Sequence, residues 1–246
     1  MGDIQKSKAF DLTLSEAKGS LRLGTDAVLL SAYIKESKRA LALEMGAGSG
    51  AISLLLAKRA CFAHIYAVEL QEEIFRTLSE NVTANGFDEV ITPVCADIRT
   101  LDFEKYKGVS VIFANPPYMK EGAGKISPSE MRQTARHETH GGVYDFCRVA
   151  SKILKTGGRL YLVYRPDRLE TLMHSLYDCG FSPKKMTFVH SDPDHSPSSV
   201  LVEAVLNAKE SLLVTPPFFL NQNGEQTDEC KLVYESGKFP KKYQTT

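Results

Sequence analysis

The chain has 246 residues, of which 43% are hydrophobic and 24% are charged, a composition that favours a globular protein with one sizeable core. Its 30 Lys and Arg residues balance its 30 Asp and Glu residues, which excludes a uniformly basic coat for nucleic acid but not a local basic patch. No apolar run reaches the roughly 20 residues of a membrane-spanning helix, and the first residues lack the apolar core of a secretory signal. Five widely spaced cysteines predict reduced thiols and a cytoplasmic protein.

The predicted elements alternate regularly from residue 40 onward. A lead-in over 1–24 precedes a helix that Thr25 is expected to cap. Strands are predicted at 40–45, 64–69, 90–96, 109–114 and 159–164, with helices over 49–60, 71–85 and 143–155 and a long loop over roughly 116–142. A helix from Arg165 to Cys179 leads to strands at about 185–190 and 199–207, whose short link predicts a hairpin.

Five strands alternating with helices predict an α/β fold with a doubly wound, mostly parallel sheet. The final hairpin adds two antiparallel strands at the edge and brings the expected total to seven. Ligands bind such open sheets at the carboxyl ends of the strands. The residues just after each strand are therefore the first place to look for a functional site.

A glycine-rich turn joins the first predicted strand to its helix. Glu44 lies near the strand end, and Gly46, Gly48 and Gly50 come after it at every second position. Glycines let the backbone approach a ligand closely, and a helix amino terminus favours negative charge. The spacing of Gly46, Gly48 and Ala51 also matches a dinucleotide fingerprint, so the turn alone does not identify the ligand, and a turn without any ligand stays an alternative.

Two acids end the next two predicted strands. Glu69 stands 19 residues after Gly50, where a carboxylate can accept hydrogen bonds from both ribose hydroxyls of NAD or of S-adenosylmethionine. Asp97 comes after the third strand, where it can accept a hydrogen bond from the amine of an adenine or cap the next turn. With the glycine turn, these acids predict a nucleoside ligand but do not choose which one.

The tetrapeptide Asn115-Pro116-Pro117-Tyr118 stands directly after the fourth predicted strand. An amino group attached to a base or an amide is a poor nucleophile, because its lone pair is delocalised. The side-chain oxygen of Asn115 and the carbonyl of Pro116 can each accept one of its N–H groups and direct the lone pair towards an electrophile. Two prolines fix the backbone, and Tyr118 offers a ring for stacking on a planar substrate. The tetrapeptide thus predicts that a planar amino group is activated for attack on an electrophile.

These features, in this order, resemble the class I S-adenosylmethionine-dependent amino-methyltransferases. Within that class the sequence is most similar to the bacterial methyltransferases that modify N6 of the adenine at position 37 of a valine tRNA. The resemblance covers roughly residues 20–208 and rests on residues 23–30, 44–50, 115–118, 135–138, 157–159 and 164–169. It implies S-adenosylmethionine as cofactor, tRNA as substrate, and one methyltransferase domain over 1–246, made of a lead-in and helix (1–39), a cofactor-binding and catalytic core (40–208) and a tail (209–246).

The resemblance also assigns roles to residues that motif chemistry alone leaves open. It places Thr25 and Asp26 near the methionine end of the cofactor and puts Arg136 among the RNA contacts. The predicted site therefore contains the catalytic residues Asn115, Pro116 and Tyr118, the cofactor-binding residues Thr25, Asp26, Glu44, Gly46, Gly48, Gly50, Glu69, Asp97 and Asn115, and the substrate-binding residues Pro117, Tyr118 and Arg136.

An RNA substrate needs phosphate contacts that the neutral chain must supply locally. The candidate cations are Lys120, Lys125, Arg132, Arg136, Arg165, Arg168, Lys238, Lys241 and Lys242. His137 and His140 have i, i+3 spacing without an obvious third ligand, so no metal is expected, and no membrane partner is expected either. The oligomeric state is left open.

Four alternative functions stay open on the sequence alone. A glutamine methyltransferase of release factors uses the same tetrapeptide, but such enzymes carry a helical domain before the sheet, and only about 40 residues precede the first strand here. A methyltransferase for guanine N2 in ribosomal RNA or for adenine in DNA is the second. An NAD-dependent oxidoreductase would explain the glycine turn and Glu69 but leaves residues 115–118 without a role. A non-catalytic nucleotide-binding module is the fourth.

Overall fold

The computed structural model describes residues 4–7, 11–15, 24–116 and 142–243. The strands within these ranges are β1 (Ile4–Ser7), β2 (Leu12–Ser15), β3 (Ser37–Met45), β4 (Phe62–Glu69), β5 (Ile91–Cys95), β6 (Val109–Ala114), β7 (Arg159–Tyr164), β8 (Phe181–His190), β9 (Pro197–Leu206), β10 (Leu213–Val214), β11 (Phe218–Phe219), β12 (Asn221–Gln222) and β13 (Glu225–Gln226). The α-helices are α1 (Thr25–Tyr33), α2 (Ala51–Lys58), α3 (Glu72–Ala84), α4 (Val143–Ile153), α5 (Leu169–Asp178) and α6 (Asp228–Ser236).

Nine of the described strands form the main sheet, in the order β10-β8-β9-β7-β6-β3-β4-β5, with β11 also paired to β8. Strands β3 to β7 pair in parallel, whereas β9 is antiparallel to both β7 and β8. The predicted doubly wound, mostly parallel sheet with a late antiparallel hairpin is confirmed. The strand total exceeds seven because the two-residue strands β10 and β11 extend the edge beside β8.

Helices cover both faces of the sheet, as its hydrophobic strands require. Alternate residues of one strand enter two separate core clusters, with Ala42 of β3 packed in the cluster that holds α1 and α2, and Leu43 in the cluster that holds α4 and α5. This alternation results from the two-residue period of a strand. With a helical layer on each face, open cavities can form only where the strands of the sheet begin and where they end.

The β8–β9 hairpin turns at the carboxyl edge of the parallel strands. Tyr164, the last residue of β7, pairs with Val200 near the start of β9, so the link over 191–196 lies at the same edge as the ends of β3 and β6. The two hairpin strands are longer than predicted, because Pro183 and Lys185 continue the ladder through a register shift. The hairpin therefore belongs to the neighbourhood of the predicted site.

The start of α1 differs from the prediction. Gly24, not Thr25, is the N-cap residue, and Thr25 is the first residue of the helix without a capping hydrogen bond from its side chain. The extended backbone of Gly24 lets its carbonyl accept from the amides of Ala27 and Val28. Asp26 lies in the first turn, as expected of an acid near a helix amino terminus.

The segment 209–243 is more ordered than the irregular tail the sequence suggests. It adds β10 and β11 to the sheet and contains α6. The side-chain oxygen of Thr227 caps the amino terminus of this helix. Its apolar residues Phe218, Val233 and Phe239 pack in the same cluster as α1 and α2. The segment thus forms part of one face of the sheet.

Within the described ranges there is neither a candidate membrane span nor a candidate metal centre. None of these helices combines the length and apolar character needed to cross a membrane. The same ranges hold no group of three or more His, Cys, Asp or Glu side chains positioned to bind a metal ion. His137 and His140 lie outside the described residues.

Candidate functional site

A cavity of about 430 Å³ opens at the carboxyl edge of the sheet. It is bordered by the start of α1, the turn after β3, the residue after β6 and the β8–β9 hairpin. The lining residues include six of the predicted site, namely Thr25, Asp26, Glu44, Gly46, Gly48 and Asn115. Residues that are 90 positions apart in the sequence therefore share one space, at the edge where open α/β sheets bind ligands.

The glycine turn needs glycine at its alternate positions. The φ angles of Gly46, Gly48 and Gly50 are +70°, +57° and +87°, a region that residues with a Cβ atom rarely adopt. A Cβ on Gly50 would lie 2.5 Å from Leu78, so this position serves helix packing. A Cβ on Gly48 would meet nothing within 4 Å, so that residue borders open space. The turn thus presents bare backbone to the cavity.

Glu69 fastens this turn to the neighbouring strand. It is the last residue of β4, is only 6% exposed, and accepts the amide of Gly48 on one oxygen and the amide of Gln71 on the other, both at 2.9 Å. The amide of Ala47 also bonds the carbonyl of Val68 at 2.9 Å. Each carboxylate oxygen can accept a second hydrogen bond. Glu69 therefore holds the turn and retains capacity for a ligand hydroxyl.

Glu44 is fully buried beneath the turn. One of its oxygens accepts hydrogen bonds from the amide and the hydroxyl of Ser53 in α2. Burial raises the pKa of Glu44 to about 8, against the lowering effect of the Ser53 hydrogen bonds, and the nearby charge of Glu69 adds to the rise. At neutral pH the carboxyl group is therefore largely protonated, and a cation bound in the cavity would favour its ionised form.

Asn115 comes directly after β6 and lines the cavity, half-buried. Parallel pairing aligns Ala114 with Met45, the last residue of β3, which brings Asn115 beside the start of the glycine turn. Pro116 is buried next to it. The sheet thus brings Asn115 to the cavity, with Pro116 next to it in the chain.

Thr25 and Asp26 enter the cavity from the first turn of α1. The Tyr234 hydroxyl of α6 donates to the hydroxyl oxygen of Thr25 over 3.4 Å. This hydrogen bond links the carboxyl-terminal segment to the start of α1 at the cavity. Among the described lining residues, Asp26 and Glu44 are the two with ionisable side chains, and both are acids. Because Glu44 is largely protonated at neutral pH, the charge of this lining rests on Asp26, and the cavity suits a ligand that carries positive charge.

Asp97 lies outside the cavity lining, as do the predicted residues Gly50, Glu69 and Pro116. It forms a bidentate ion pair with Arg99, at 2.6 Å between Oδ2 and Nη2. Its Oδ1 also accepts the amide of Arg99 and caps the 3₁₀ turn over Ile98–Thr100. Hydrogen bonds from Arg99 hold the pKa of Asp97 below its usual value. The turn-capping alternative is thus present in the structure.

Sequence reasoning missed the far wall of the cavity. Val189, Ser191 and Ser198 come from the hairpin, and Leu220 comes from the carboxyl-terminal segment. No motif marks these residues, and only the strand order brings them to the site. The predicted substrate residues Pro117, Tyr118 and Arg136 and the candidate cations Lys120, Lys125 and Arg132 lie outside the described residues.

Comparisons with known proteins agree with this geometry. Residues 9–121 match the model of the TRM5/TYW2 methyltransferase domain. The chain is 28% identical over 210 residues to a tRNA1(Val) (adenine(37)-N6)-methyltransferase of Bacteroides fragilis, across 82% of this chain and 86% of that protein. It is 29% identical over 208 residues to the protein of the same name from Porphyromonas gingivalis, across 82% of this chain and 80% of that one.

Solved structures show the same fold. A predicted O-methyltransferase, protein Atu636 of Agrobacterium tumefaciens, superposes with a TM-score of 0.70 at 19% identity, over 88% of this chain and 98% of that one. M. jannaschii TYW2 in complex with AdoMet superposes with a TM-score of 0.55 at 15% identity, over 83% and 84% of the two chains. At these identities the likeness concerns the fold.

Fold, family model and relatives together define the class of the protein. The chain is an S-adenosylmethionine-dependent methyltransferase, as its motifs predicted. Within that class, the resemblance to the bacterial tRNA adenine-37 N6-methyltransferases is confirmed by similarity over four fifths of the chain.

Proposed function

We propose that this protein transfers the methyl group of S-adenosylmethionine to the exocyclic N6 of an adenine in tRNA, at position 37 of a valine tRNA. The observation that carries the proposal is the position of Asn115, which lines the same cavity as the glycine turn and Asp26. An acceptor for an amino group therefore borders the space assigned to the methyl donor. The names of the relatives support the choice of adenine and of tRNA.

The cavity suits the proposed cofactor in shape and charge. Open space beside Gly48 admits a ligand against bare backbone, and Glu69 keeps acceptor capacity for ribose hydroxyls. S-adenosylmethionine carries a sulfonium, an ammonium and one carboxylate, which leaves a net positive charge opposite Asp26 and favours the ionised form of Glu44. The pyrophosphate of NAD would instead bring two negative charges towards Asp26 and keep Glu44 protonated, which disfavours the oxidoreductase alternative.

Two acceptors of this chain prepare the substrate nitrogen. The bound cofactor supplies a methyl group attached to positive sulfur, which is the electrophile of the reaction. The side-chain oxygen of Asn115 and the carbonyl of Pro116 accept the two N–H groups of the adenine amine and hold its lone pair out of the ring plane. Because the nitrogen becomes acidic only as it is alkylated, no strong general base is needed, and proximity and orientation supply most of the rate.

The remaining contacts are predictions, and those of Pro117, Tyr118 and Arg136 concern residues outside the described ranges. Tyr118 stacks on the target adenine after it leaves the RNA stack, Pro117 borders it, and Arg136 contacts the RNA. Asp97 is proposed to meet the adenine of the cofactor after its ion pair with Arg99 adjusts. We further propose that the protein acts in the cytoplasm, where tRNA is available.

The test is a methyl-transfer assay with methyl-labelled S-adenosylmethionine and purified protein. The substrates are tRNA from cells that lack the modification, ribosomal RNA and a release factor, each in a separate reaction. Label recovered as N6-methyladenosine in tRNA is the expected result. Label on the glutamine of the release factor or on ribosomal RNA would contradict the proposed substrate, and cofactor binding without any transfer would favour the non-catalytic alternative.

A further inference from the structure

A second cavity, of about 360 Å³, opens at the opposite edge of the sheet. It lies where α1 leads into β3, and segment 237–243 and β8 complete its walls. Four cationic side chains line it, Lys35, Arg59, Lys185 and Lys238, together with one carboxylate, that of Glu36. We call this space the basic cavity.

Lys185 is the unusual member of this lining. The residue is only 4% exposed, and its ammonium lies 3.5 Å from Glu203 and 3.8 Å from the centre of the Tyr33 ring. An ammonium has three N–H donors, and a single long ion pair leaves donating capacity unused. Glu203 is also shared with Arg159, so it does not neutralise Lys185 alone. Burial lowers the pKa of Lys185, which reflects the cost of keeping this charge inside the protein.

The other cations differ in how far they are already engaged. Arg59 donates to the carbonyls of Ser31, Leu55 and Gly237, and so ties the ends of α1 and α2 to the carboxyl-terminal segment. Lys238 forms an ion pair with Glu36 at 3.5 Å, which uses the one carboxylate of the lining. Lys35 is exposed at the mouth. The basic cavity therefore retains an excess of positive charge, with Lys185 at its base and Lys35 at its opening.

We propose that the basic cavity binds a phosphate group. A phosphate supplies the several strong acceptor oxygens that the ammonium of Lys185 and the exposed amine of Lys35 can meet together. Its charge offsets the excess of cations that the lining carries. Lys38 lies close by and contributes to the same positive field, since it acts on the neighbouring Cys61 thiol together with Lys238.

This phosphate has two possible sources, which share one chemistry. It is either a phosphodiester of the tRNA that the protein is proposed to methylate, or a free phosphate ester. In the first case the inference rests on the proposed function, and the RNA is anchored away from the methylated base. Helix α1 borders both cavities, with Thr25 and Asp26 at one end and Ala32 and Tyr33 at the other, so its nine residues separate the anchor from the cofactor cavity by roughly 12 Å. A neutral protein gains an RNA contact in this way without a basic surface around its acidic cofactor cavity.

The first arm of the experiment measures tRNA affinity across a salt series. The variant Lys35→Gln/Lys238→Gln removes two cations of the basic cavity. The control Lys152→Gln/Lys155→Gln removes two exposed cations at the end of α4, outside the lining. We expect the first variant to lose roughly tenfold in affinity at low salt and to reduce the slope of log Kd against log salt by about one. An equal loss in the control would assign the effect to the general field and overturn the proposal for RNA.

The second arm omits RNA and titrates the protein with inorganic phosphate and pyrophosphate, monitored by NMR chemical shifts. Saturation in the wild type that is lost in Lys35→Gln/Lys238→Gln supports the phosphate site, and it assigns a free phosphate as the ligand where the same variant keeps wild-type tRNA affinity in the first arm. Lys185→Met/Glu203→Gln tests the buried donor, because replacing both partners avoids the unpaired buried carboxylate that Lys185→Met alone would leave, and Arg159, the other partner of Glu203, is partly exposed. Wild-type behaviour of both variants in both arms would overturn the phosphate site.

The outcomes separate this inference from the proposed function. Methylation of tRNA, with wild-type binding of both tRNA and phosphate by the cavity variants, would leave the methyltransferase assignment intact and overturn the phosphate site in the basic cavity. Phosphate binding without any methylation of tRNA would support the site and contradict the proposed substrate.

Discussion

The two cavities occupy opposite ends of strand β3 and carry opposite charge. The cavity after β3 is lined by the acids Asp26 and Glu44, whereas the basic cavity before β3 is lined by four cations and one acid. Both combine an opening with a deeply buried ionisable group, Glu44 in one and Lys185 in the other. The fold thus separates a space suited to a cationic ligand from a space suited to an anionic one.

The two cavities differ in how readily their lining residues can be recognised in the sequence. The walls of the acidic cavity come largely from residues just after strands, where glycines, acids and an Asn-Pro-Pro-Tyr tetrapeptide form recognisable motifs. The basic cavity combines Lys35, Arg59, Lys185 and Lys238, which are single lysines and arginines without a motif. The described structure is needed to see that they meet.

Replacing Asn115 is the strongest test of the acidic cavity as a catalytic site. Asn115→Ala removes one of the two acceptors for the amino group, and we expect methyl transfer to fall by about 10²–10³-fold. Cofactor affinity should change little, because the glycine turn and Asp26 are untouched. Single-turnover kinetics and calorimetric titration with S-adenosylmethionine measure the two quantities. Unchanged turnover would contradict the role of Asn115.

Glycine substitutions test whether the turn binds the cofactor or only shapes the chain. Gly48→Ala forces a side chain into a backbone with φ +57°, and Gly157→Ala does the same at φ +86°, with open space around both positions. The strain of about 1–2 kcal/mol should destabilise both variants similarly. Only Gly48→Ala should lose cofactor affinity, by about tenfold or more. Equal affinity of the two variants would show that Gly48 does not border the ligand.

Much of the fold can be predicted from the sequence, because buried parallel strands and the glycines after them have strong signals. The bounds of α3 and the end of β4 at Glu69 lie within a residue or two of prediction. Prediction was less successful where tertiary context decides. Gly24 replaces Thr25 as N-cap, and β10 and β11 join the sheet because β8 offers an open edge.

The site shows the same division. Glu44, Gly46, Gly48 and Asn115 come together as the motifs indicated, and Thr25 and Asp26 join them as the resemblance implied. Asp97 is bound to Arg99 two residues later, a local contact that strand-end reasoning does not anticipate. Ser191, Ser198 and Leu220 complete the cavity only because the hairpin and the carboxyl-terminal segment fold over it. The roles of all these residues in binding and catalysis stay predictions.

Charge in the acidic cavity should distinguish the cofactor from its product. Methyl transfer converts a sulfonium into a neutral thioether, so the attraction of Asp26 for the sulfonium is lost after the reaction, whereas its attraction for the ammonium remains. Asp26→Asn should lower the affinity for S-adenosylmethionine by about fivefold at low salt, equivalent to roughly 1 kcal/mol. It should lower the affinity for S-adenosylhomocysteine less. Asp194→Asn, an exposed acid of the hairpin link, is the control. Equal weakening of both ligands by Asp26→Asn would exclude this charge effect.

Glu44 is expected to make the stability of the protein depend on pH. Because burial raises its pKa to about 8 from an ordinary value of 4.5, the unfolded chain releases this proton at lower pH than the folded protein does. Stability from this group is therefore complete below about pH 4.5 and declines as the pH rises towards 8. Glu44→Gln keeps the shape, keeps an oxygen for the Ser53 hydrogen bonds and cannot ionise. Its Tm should fall less than that of the wild type between pH 6 and pH 8.5, by several °C, since about 1 kcal/mol shifts Tm by about 2–4 °C in a chain of this size.

The cofactor should act on the same equilibrium in the opposite direction. A bound cation favours the ionised form of Glu44, so the affinity for S-adenosylmethionine should rise by a few-fold as the pH passes through 8, and this rise should be absent in Glu44→Gln. Asp26 also lines the cavity and Glu69 lies close enough to act on Glu44, but a pH dependence due to either would persist in that variant. Calorimetric titrations from pH 6 to pH 9 on both proteins separate these cases. Parallel affinity profiles would mean that Glu44 serves packing beneath the turn and does not sense the charge of the ligand.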